Sequence, residues 1–339
     1  MRFDETVIHN FRNYGGPDLR VTWDPGINLI TGRNGSGKTN LLEALSILTG
    51  WGAFSRTSSV ISWSSENHRA ILGGHVSGEE SFTVRAEISS KISLRLSDKA
   101  VTFTDLRLFM PSIIFLTGNL SLIDGSPSSR RLFIDRLCAL FVPPYAKRLA
   151  DFRNILRTRS LLLRQGKSPV RTDAQYCGLG GWIMDTRREV CGQLMRIIPP
   201  GKFTLEFQPS LNASGEEYLR EALDRNRNRE MYAQRPLYGP NYDDMSITIT
   251  ENGRPAYEAL SRGQKRRLIL YMIITAGKLI LQRLKREPVL LFDDLTAELD
   301  ADGREWTYRK LLETKWQVFI TAPEKPFASR KKFGGIKLA

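Results

Sequence analysis

Cysteine and histidine are scarce in this chain, which has three of each among its 339 residues. The cysteines form no C-x-x-C pair, and their odd number does not suit a disulfide framework. The histidines lack the spacing of metal ligands. These absences argue against a disulfide-stabilised secreted protein and against a zinc site, and we expect a cytoplasmic location.

Long apolar runs are also missing. The longest uncharged apolar stretch, residues 268–277, is far shorter than the roughly 20 residues needed to cross a bilayer. The first residues lack the apolar core of a signal peptide. We therefore expect a soluble protein with no membrane-spanning segment.

Acidic residues are outnumbered: 50 Lys and Arg against 36 Asp and Glu give a formal net charge of +14. This excess favours a polyanionic partner, with nucleic acid first and an acidic membrane surface second. Residues 128–173 hold eleven basic and three acidic residues, a local balance of +8. On a helix, Arg153, Arg157 and Arg164 fall near one face, which suits phosphate contacts without base readout. A merely solvated helix face would show the same pattern.

The order of apolar patterns predicts αβ structure at both ends of the chain and helices between them. Short β-branched strands are predicted at 7–11, 19–23, 27–31, 70–76, 82–88 and 92–96, with one helix after Gly37. Helices are predicted within 128–198, broken at Pro143-Pro144, Gly166, Pro169 and 178–181. Strands follow at 203–208 and 245–250, then a helix at 262–286, a buried strand at 289–292 and a loose tail after Pro323.

The strongest motif follows the third predicted strand and opens a helix, which is the context of a phosphate-binding P-loop. Its backbone N–H groups and the helix N-terminus would surround phosphate oxygens. Lys38 would reach the β- and γ-phosphates of ATP, and the Thr39 hydroxyl would hold Mg²⁺. The motif reads Gly32, Arg33, Asn34, Gly35, Ser36, Gly37, Lys38, Thr39, and Asn40 follows it as a further expected nucleotide contact.

The second motif is a pair of aspartates that follows the apolar run at 289–292. A buried parallel strand that ends in acid delivers a carboxylate to the carboxyl edge of its sheet. We expect Asp293 to coordinate Mg²⁺ and Asp294 to orient the attacking water as a general base. An acidic turn with no catalytic role is the alternative for this pair.

Residues 260–265 read Leu-Ser-Arg-Gly-Gln-Lys. Arg262 in this segment precedes Val289, the first residue of the strand that leads to Asp293, by 27 positions. This place and pattern are similar to the signature loop of ATP-binding-cassette (ABC) ATPases. The resemblance implies that Ser261, Gly263 and Gln264 contact the γ-phosphate held by a partner subunit. The alternative for Ser261 is a simple helix N-cap. Residues 298–300, Glu-Leu-Asp, are similar to a dimer-contact loop of the same superfamily, or Asp300 caps a helix.

Several phrases in order resemble the RecF family of bacterial recombination-repair ATPases. They are 10–14 (Asn-Phe-Arg-Asn-Tyr), 25–28 leading into the P-loop, 38–44, 126–135, 261–265 and 293–300. The resemblance implies an α/β, ABC-type P-loop ATPase head with an inserted, mostly helical lobe. We assign residues 1–110 and 245–339 to the head and 111–244 to the lobe.

The resemblance also implies a function in DNA replication, recombination and repair. That function is weak, DNA-stimulated ATP hydrolysis coupled to homodimerisation on duplex and gapped DNA, with RecR and RecO as partners in loading RecA. Arg12 and Asn13 would lie near the adenine. Arg130 and Arg131 would lie at the DNA-facing or nucleotide-facing edge.

The chain departs from the family pattern at three places. Residues 239–244 read Gly-Pro-Asn-Tyr-Asp-Asp where the family usually has Gly-Pro-His-Arg-Asp-Asp. Residues 116–120 read Leu-Thr-Gly-Asn-Leu where it usually has Ser-Pro-Glu-Asp-Leu, and no switch histidine stands near Thr321. Other interpretations are a transporter's motor subunit, a scaffold that binds ATP without turnover, and a related phage-defence ATPase.

Overall fold

The computed structural model describes residues 1–54, 59–63, 65, 67–116, 121–199, 201–211, 215–296, 299–322 and 333–338. The chain forms two compact units. The first comprises Met1–Asn119 with Ile280–Ala339, and the second comprises Leu120–Leu279. Among the described residues, no helix combines the length and apolarity needed to span a bilayer.

The strands are β1 (Arg2–His9), β2 (Leu19–Thr22), β3 (Ile27–Thr31), β4 (Ala70–Ser77), β5 (Ser81–Ile88), β6 (Ile92–Leu96), β7 (Lys99–Val101), β8 (Ser112–Phe115), β9 (Phe203–Gln208), β10 (Asp244–Ile249), β11 (Val289–Phe292), β12 (Val318–Ala322) and β13 (Gly334–Lys337). The helices are α1 (Lys38–Leu48), α2 (Phe103–Phe109), α3 (Ser121–Asp124), α4 (Pro127–Phe141), α5 (Tyr145–Arg164), α6 (Val170–Ile197), α7 (Glu216–Ala233), α8 (Ala256–Ala259), α9 (Arg262–Leu284) and α10 (Ala301–Thr314).

The first unit contains two sheets. Five parallel strands lie in the order β13-β3-β12-β11-β8, and six antiparallel strands lie in the order β2-β1-β4-β5-β6-β7. β3, β8, β11 and β12 are buried along their whole length, as expected of a parallel sheet covered on both faces. The predicted α/β fold class is confirmed.

Helix α1 is buried on all sides from Leu41 to Leu48 because it contacts strands of both sheets. Its leucines join side chains of the parallel sheet, such as Phe319, and of the antiparallel sheet, such as Phe3, in one apolar core. The start of α1 is therefore held firmly at the carboxyl edge of the parallel sheet. That edge is where the P-loop emerges.

The second unit packs α4, α5, α6 and α7 with the antiparallel pair of strands β9 and β10. Residues 245–279, which we assigned to the ATPase lobe, group with this unit instead. The cause is pairing within the second unit, since β10 pairs with β9 over its full length and α8 contacts β10. The division between units falls within α9.

Two buried arginines tie the helices of the second unit together. Arg159 of α5 pairs with Asp173 of α6 and Glu230 of α7, and its side chain is fully buried. Arg187 of α6 contacts Asp135 of α4 at 2.9 Å and Asp243, just before β10, at 2.8 Å. Burial opposes the charge on Arg187, but the two carboxylates outweigh it and raise its pKa. Losing one partner of such a pair is far more costly than the pair's net contribution.

Two sequence expectations about secondary structure are wrong. Helix α6 continues through residues 178–181, where we expected glycines to break it. Part of the supposedly loose tail forms β13, which pairs with β3. The remainder of that tail, residues 323–332, lies outside the described residues. The charged stretch after residue 215, for which no element was predicted, forms α7.

The glycines of α6 serve packing rather than a break. A Cβ atom added at Gly181 would lie 2.5 Å from the Cα of Glu216, against the backbone that starts α7. Backbone cannot swing aside as a side chain can, so α7 approaches α6 this closely only beside a glycine. Gly192, in the same helix, has open space where its Cβ would be.

We expect Gly181→Ala to destabilise the protein by about 2 kcal/mol or more, because the added methyl overpacks the α6–α7 contact. The matched control Gly192→Ala should stabilise by about 0.5 to 1 kcal/mol, since alanine is the better helix former. Urea unfolding followed by circular dichroism measures both. Equal effects of the two substitutions would contradict the packing role.

Candidate active site

The P-loop connects β3 to α1 at the carboxyl edge of the parallel sheet. β3 is fully buried, whereas Arg33, Asn34 and Gly35 are exposed. The loop is tightened by a hydrogen bond from the Ser36 N–H to the Arg33 carbonyl at 3.2 Å. The Ser36 hydroxyl is buried with no hydrogen-bond partner among the described residues, so the loop holds an unused polar group.

Lys38, Thr39 and Asp293 meet in one cleft of about 360 Å³. The Lys38 ammonium donates to the carbonyl oxygens of Gly32 and Arg33 at 2.8 and 2.9 Å, so it lies over the loop. The Thr39 hydroxyl donates to Asp293 Oδ1 at 3.0 Å across 254 residues of sequence. The cleft thus combines a cation, loop amides and two oxygen donors.

Thr321 belongs to the same cleft, although no sequence motif identified it as a site residue. It stands near the end of β12, beside β11, and its hydroxyl donates to Asp293 Oδ1 at 2.7 Å while accepting from the Asp294 N–H at 2.9 Å. One hydroxyl therefore fixes the backbone and the carboxylate of the acidic pair. A polar residue that ends a run of buried strand residues is the only sequence signal for it.

Asp294 takes a left-handed backbone conformation, with φ of 53°. Asp293 and Asp294 both line the cleft with Lys38 and Thr39. Asp293 thus lies beside the Thr39 hydroxyl, while Asp294 is placed separately in the same cleft.

Asn13 and Tyr14 support the P-loop from its flank. The Asn13 amide donates to the Ser36 carbonyl at 3.3 Å and accepts from the Asn40 amide at 2.7 Å. The Tyr14 hydroxyl donates to the Gly37 carbonyl at 2.9 Å, and burial raises the pKa of Tyr14, so it remains a neutral donor. Asn13 and Asn40, both expected nucleotide contacts, thus contact each other.

Arg12 makes a two-pronged ion pair with Glu43 of α1. Its Nε and a terminal nitrogen lie 2.8 and 2.9 Å from the two carboxylate oxygens, and it also donates to the Ser59 carbonyl at 2.9 Å. Glu43 is buried and accepts the Phe54 N–H as well. No local pattern predicts this partner for Arg12, because the pair joins residues 31 positions apart.

The residues of the signature motif start α9 in the second unit. The Ser261 hydroxyl accepts from the Gln264 N–H at 3.4 Å, and the Gln264 side chain accepts from the Ser261 N–H at 2.8 Å. This reciprocal pair is a capping box, so the N-cap expectation for Ser261 is confirmed. Ser261 and Gln264 are nevertheless exposed, and no described residue lies within 4 Å of the position of a Gly263 Cβ.

The expected dimer-contact loop is described only in part. Asp300 caps α10 by accepting the Gly303 N–H at 2.7 Å, and Leu299 is buried. Glu298 lies outside the described residues, as do residues 117–120 of the departing phrase before the helical lobe.

Arg130 and Arg131 are tied to the departing 239–244 segment. The Arg130 guanidinium donates to both carboxylate oxygens of Asp244 at 2.6 and 2.8 Å, and Arg131 donates to the Asp243 carbonyl at 2.7 Å. The two aspartates that this chain shares with the family pattern thus have structural partners. Tyr242, where the family has arginine, donates to the Pro236 carbonyl at 2.6 Å.

The predicted basic stripe is present on the surface of α5. Arg153, Arg157 and Arg164 are all exposed, and none has a carboxylate within ion-pair distance in the part of the chain that the structure describes. Arg159, counted with the basic residues of this segment, is buried and does not contribute to a surface.

Comparison with known proteins shows the family of the chain. The family model of the RecF/RecN/SMC N-terminal domain matches residues 3–336. The chain is 30% identical over 349 residues to the DNA replication and repair protein RecF of Heliobacterium modesticaldum, covering 95% of this chain and 92% of the relative. It is also 30% identical to the RecF of Leptospira interrogans, covering 94% and 90%.

A solved structure of the recombination mediator protein RecF-ATPrS in the RecFOR pathway superposes with a TM-score of 0.83. The two chains are 23% identical, and the match covers 96% of this chain and 93% of the other. This similarity supports the fold, while the family model and the sequence relatives establish the family. The chain belongs to the RecF family, as its ordered motifs predicted.

Proposed function

We propose that this protein is an ATP-dependent DNA-binding protein of recombinational repair and replication-gap processing. The observation that carries the proposal is the meeting of Lys38, Thr39 and Asp293 in one cleft. The relatives' names, DNA replication and repair protein RecF, supply the biological setting. In this proposal the protein dimerises on DNA with ATP and assists the loading of RecA.

The cleft residues fit Mg-ATP. Glycine-rich loop amides, the unused Ser36 hydroxyl and the Lys38 ammonium are suited to phosphate oxygens. No group of three or more His, Cys, Asp or Glu side chains that could hold a metal occurs among the described residues. Two oxygen donors, Thr39 and Asp293, suit Mg²⁺, which keeps waters and shares phosphate oxygens. When bound, Mg²⁺ would neutralise charge between the β- and γ-phosphates.

The chain's own residues then position the reaction. Lys38 would leave its carbonyl contacts to neutralise charge on the γ-phosphate, and Asp294 would accept a hydrogen bond from the attacking water. The Thr321 hydroxyl accepts the backbone N–H of Asp294 and so fixes the backbone from which that carboxylate extends. We propose that ATP hydrolysis is weak and is stimulated by DNA. The remaining phosphate contacts would come from a partner subunit, and in this proposal the two subunits dimerise on DNA.

Dimerisation would supply those contacts through the signature loop. The start of α9 is an exposed helix N-terminus with Ser261 at its cap, and such ends favour anionic groups. In the proposed homodimer, Ser261, Gly263 and Gln264 of each protomer contact the γ-phosphate bound by the other. The capping box presets the loop without preventing this role, because the Ser261 hydroxyl can also donate.

DNA would contact the exposed arginine stripe of α5. Arg153, Arg157 and Arg164 offer cations without nearby carboxylates among the described residues, which suits phosphate contacts with little sequence preference. We further propose RecR and RecO as partners. A RecF of solved structure is a mediator of the RecFOR pathway, and this chain shares its fold.

Substitutions of Arg12 test whether this residue contacts the nucleotide in addition to stabilising the fold through Glu43. We expect Arg12→Met to cost about 3 kcal/mol of stability, because Glu43 would be left buried and unpaired. Arg12→Met/Glu43→Gln should recover most of that loss, since the neutral amide can still accept the Phe54 N–H. If Arg12 lies near the adenine, the stable double variant should still bind ATP several-fold more weakly in a calorimetric titration. Wild-type ATP affinity in that variant would contradict the adenine contact.

Lys38 and Asp293 should separate binding from turnover. We expect Lys38→Ala to lower ATP affinity by more than about a hundredfold, because it removes the main positive charge at the phosphates. Asp293→Asn should bind ATP but lose hydrolysis, since a neutral amide is a poor Mg²⁺ ligand.

The control for the lost charge is Lys99→Ala, an exposed lysine of β7 in the same unit. Fluorescent-nucleotide titration and phosphate release measure the two activities. An ATP affinity of Lys38→Ala within about twofold of wild type would remove the phosphate role of the loop. Wild-type turnover in Asp293→Asn would place the metal elsewhere.

Ser261→Arg tests the shared site. Loss of the cap should cost about 1 kcal/mol, and the bulky side chain should block the helix end that receives the partner's phosphate. We expect normal ATP binding by the monomer, with loss of ATP-dependent dimerisation and of hydrolysis together. Light scattering with ATP and Mg²⁺, beside a nucleotide titration, measures this.

The matched control is Thr102→Arg, which removes the capping box at the start of α2. It should lose similar stability but dimerise normally. Normal dimerisation of Ser261→Arg would rule out the shared-site mechanism even with the fold unchanged.

A further inference from the structure

The turn between α5 and α6 carries exposed aliphatic side chains on both flanking helices. Leu161, in the last turn of α5, is 55% exposed, and Val170, the first residue of α6, is 51% exposed. Single exposed aliphatic residues are ordinary, but two that flank one turn form a local feature. We call residues 161–171 the α5–α6 tip.

The backbone of the α5–α6 tip is hydrogen-bonded at the end of α5. The N–H groups of Gln165 and Lys167 donate to the carbonyls of Leu161 and Leu162 at 3.1 and 2.9 Å, which closes the helix end. Gly166 has φ of 67°, the left-handed conformation that such an end requires and glycine adopts freely. Just inside the tip, the buried Arg159 ties α5 to α6 and α7. The exposed side chains are therefore held on a firm support.

The charge of the tip has one sign. Arg164, Lys167 and Arg171 are exposed, and no carboxylate forms an ion pair with them among the residues the structure describes. The sequence contains no acidic residue between Asp151 and Asp173. The tip thus presents two aliphatic side chains within a group of uncompensated cations.

This combination selects the chemistry of a partner. DNA phosphates would use the cations but leave Leu161 and Val170 without a matching surface. A bilayer would need a larger apolar face than one turn provides. A peptide that carries both acidic and apolar side chains satisfies the cations and the aliphatic pair together. We propose that the α5–α6 tip docks an acidic, apolar-bearing segment of a partner protein.

The test uses the full chain and random peptides of about 15 residues displayed on phage, a length that spans one helical turn and its surroundings. Selected peptides are then synthesised with a fluorescent label, and their affinity is measured by anisotropy. We expect peptides rich in Asp or Glu with Leu, Ile or Phe, whose binding weakens when salt rises from about 0.1 to 0.5 M.

Three variants locate the peptide. Leu161→Ser/Val170→Ser keeps every charge and should weaken binding by at least about tenfold, and Lys167→Ser/Arg171→Ser should do the same. Leu132→Ser, which changes a comparably exposed leucine on α4, should leave binding unchanged. Circular dichroism of each variant confirms the fold.

Several outcomes would overturn the proposal. One is a selection without acidic, apolar-bearing peptides, and another is equal binding by the Leu161→Ser/Val170→Ser variant. Vesicles with about 30 mol% phosphatidylserine that retain the wild type but not this variant would assign the tip to a membrane. A matching loss of duplex-DNA affinity would assign it to nucleic acid. Because the variant keeps all arginines of the α5 stripe, intact DNA binding leaves the proposed function separate from this result.

Discussion

One carboxylate oxygen of Asp293 accepts the hydroxyl groups of Thr39 and Thr321, and the candidate active site depends on this pair of hydrogen bonds. The bonds join the start of α1 to the ends of β11 and β12. Those elements meet because neighbouring parallel strands deliver their carboxyl ends to one edge of the sheet. The burial of α1 between the two sheets of the first unit holds its N-terminus there. A metal and a phosphate group would therefore enter a site whose oxygen donors are already in place.

The sequence predicted this edge well because its signals are local. The P-loop is a contiguous pattern, and the apolar run before Asp293 is the pattern of a buried strand; both lie in the structure where the pattern places them. The order of the motifs was enough to predict that Thr39 and Asp293 share one site, although they are far apart in sequence. Thr321 was missed because a single threonine at a strand end has no pattern of its own.

The second unit was harder to predict because its organisation depends on pairs distant in sequence. Arg159 and Arg187 look in sequence like the exposed arginines around them, yet each is buried against two carboxylates. Likewise, Gly181 indicates a helix break until the approach of α7 is known. Residues 245–279 were assigned to the wrong neighbours, since nothing local reveals that β10 pairs with β9. Charge counts in such a segment therefore overstate its exposed basic surface.

In the proposed function, ATP controls DNA binding through dimerisation. The most direct test is the affinity for a gapped duplex, measured by fluorescence anisotropy over a series of salt concentrations, with Mg-ATP and with Mg-ADP. We expect tighter binding with ATP and steep salt dependence. Arg153→Ala/Arg157→Ala/Arg164→Ala should reduce the slope of log affinity against log salt by up to about 3, one for each lost phosphate contact. Equal affinity with ATP and ADP, together with an unchanged slope in the triple variant, would contradict both the control of DNA binding by ATP and the contact of these arginines with DNA.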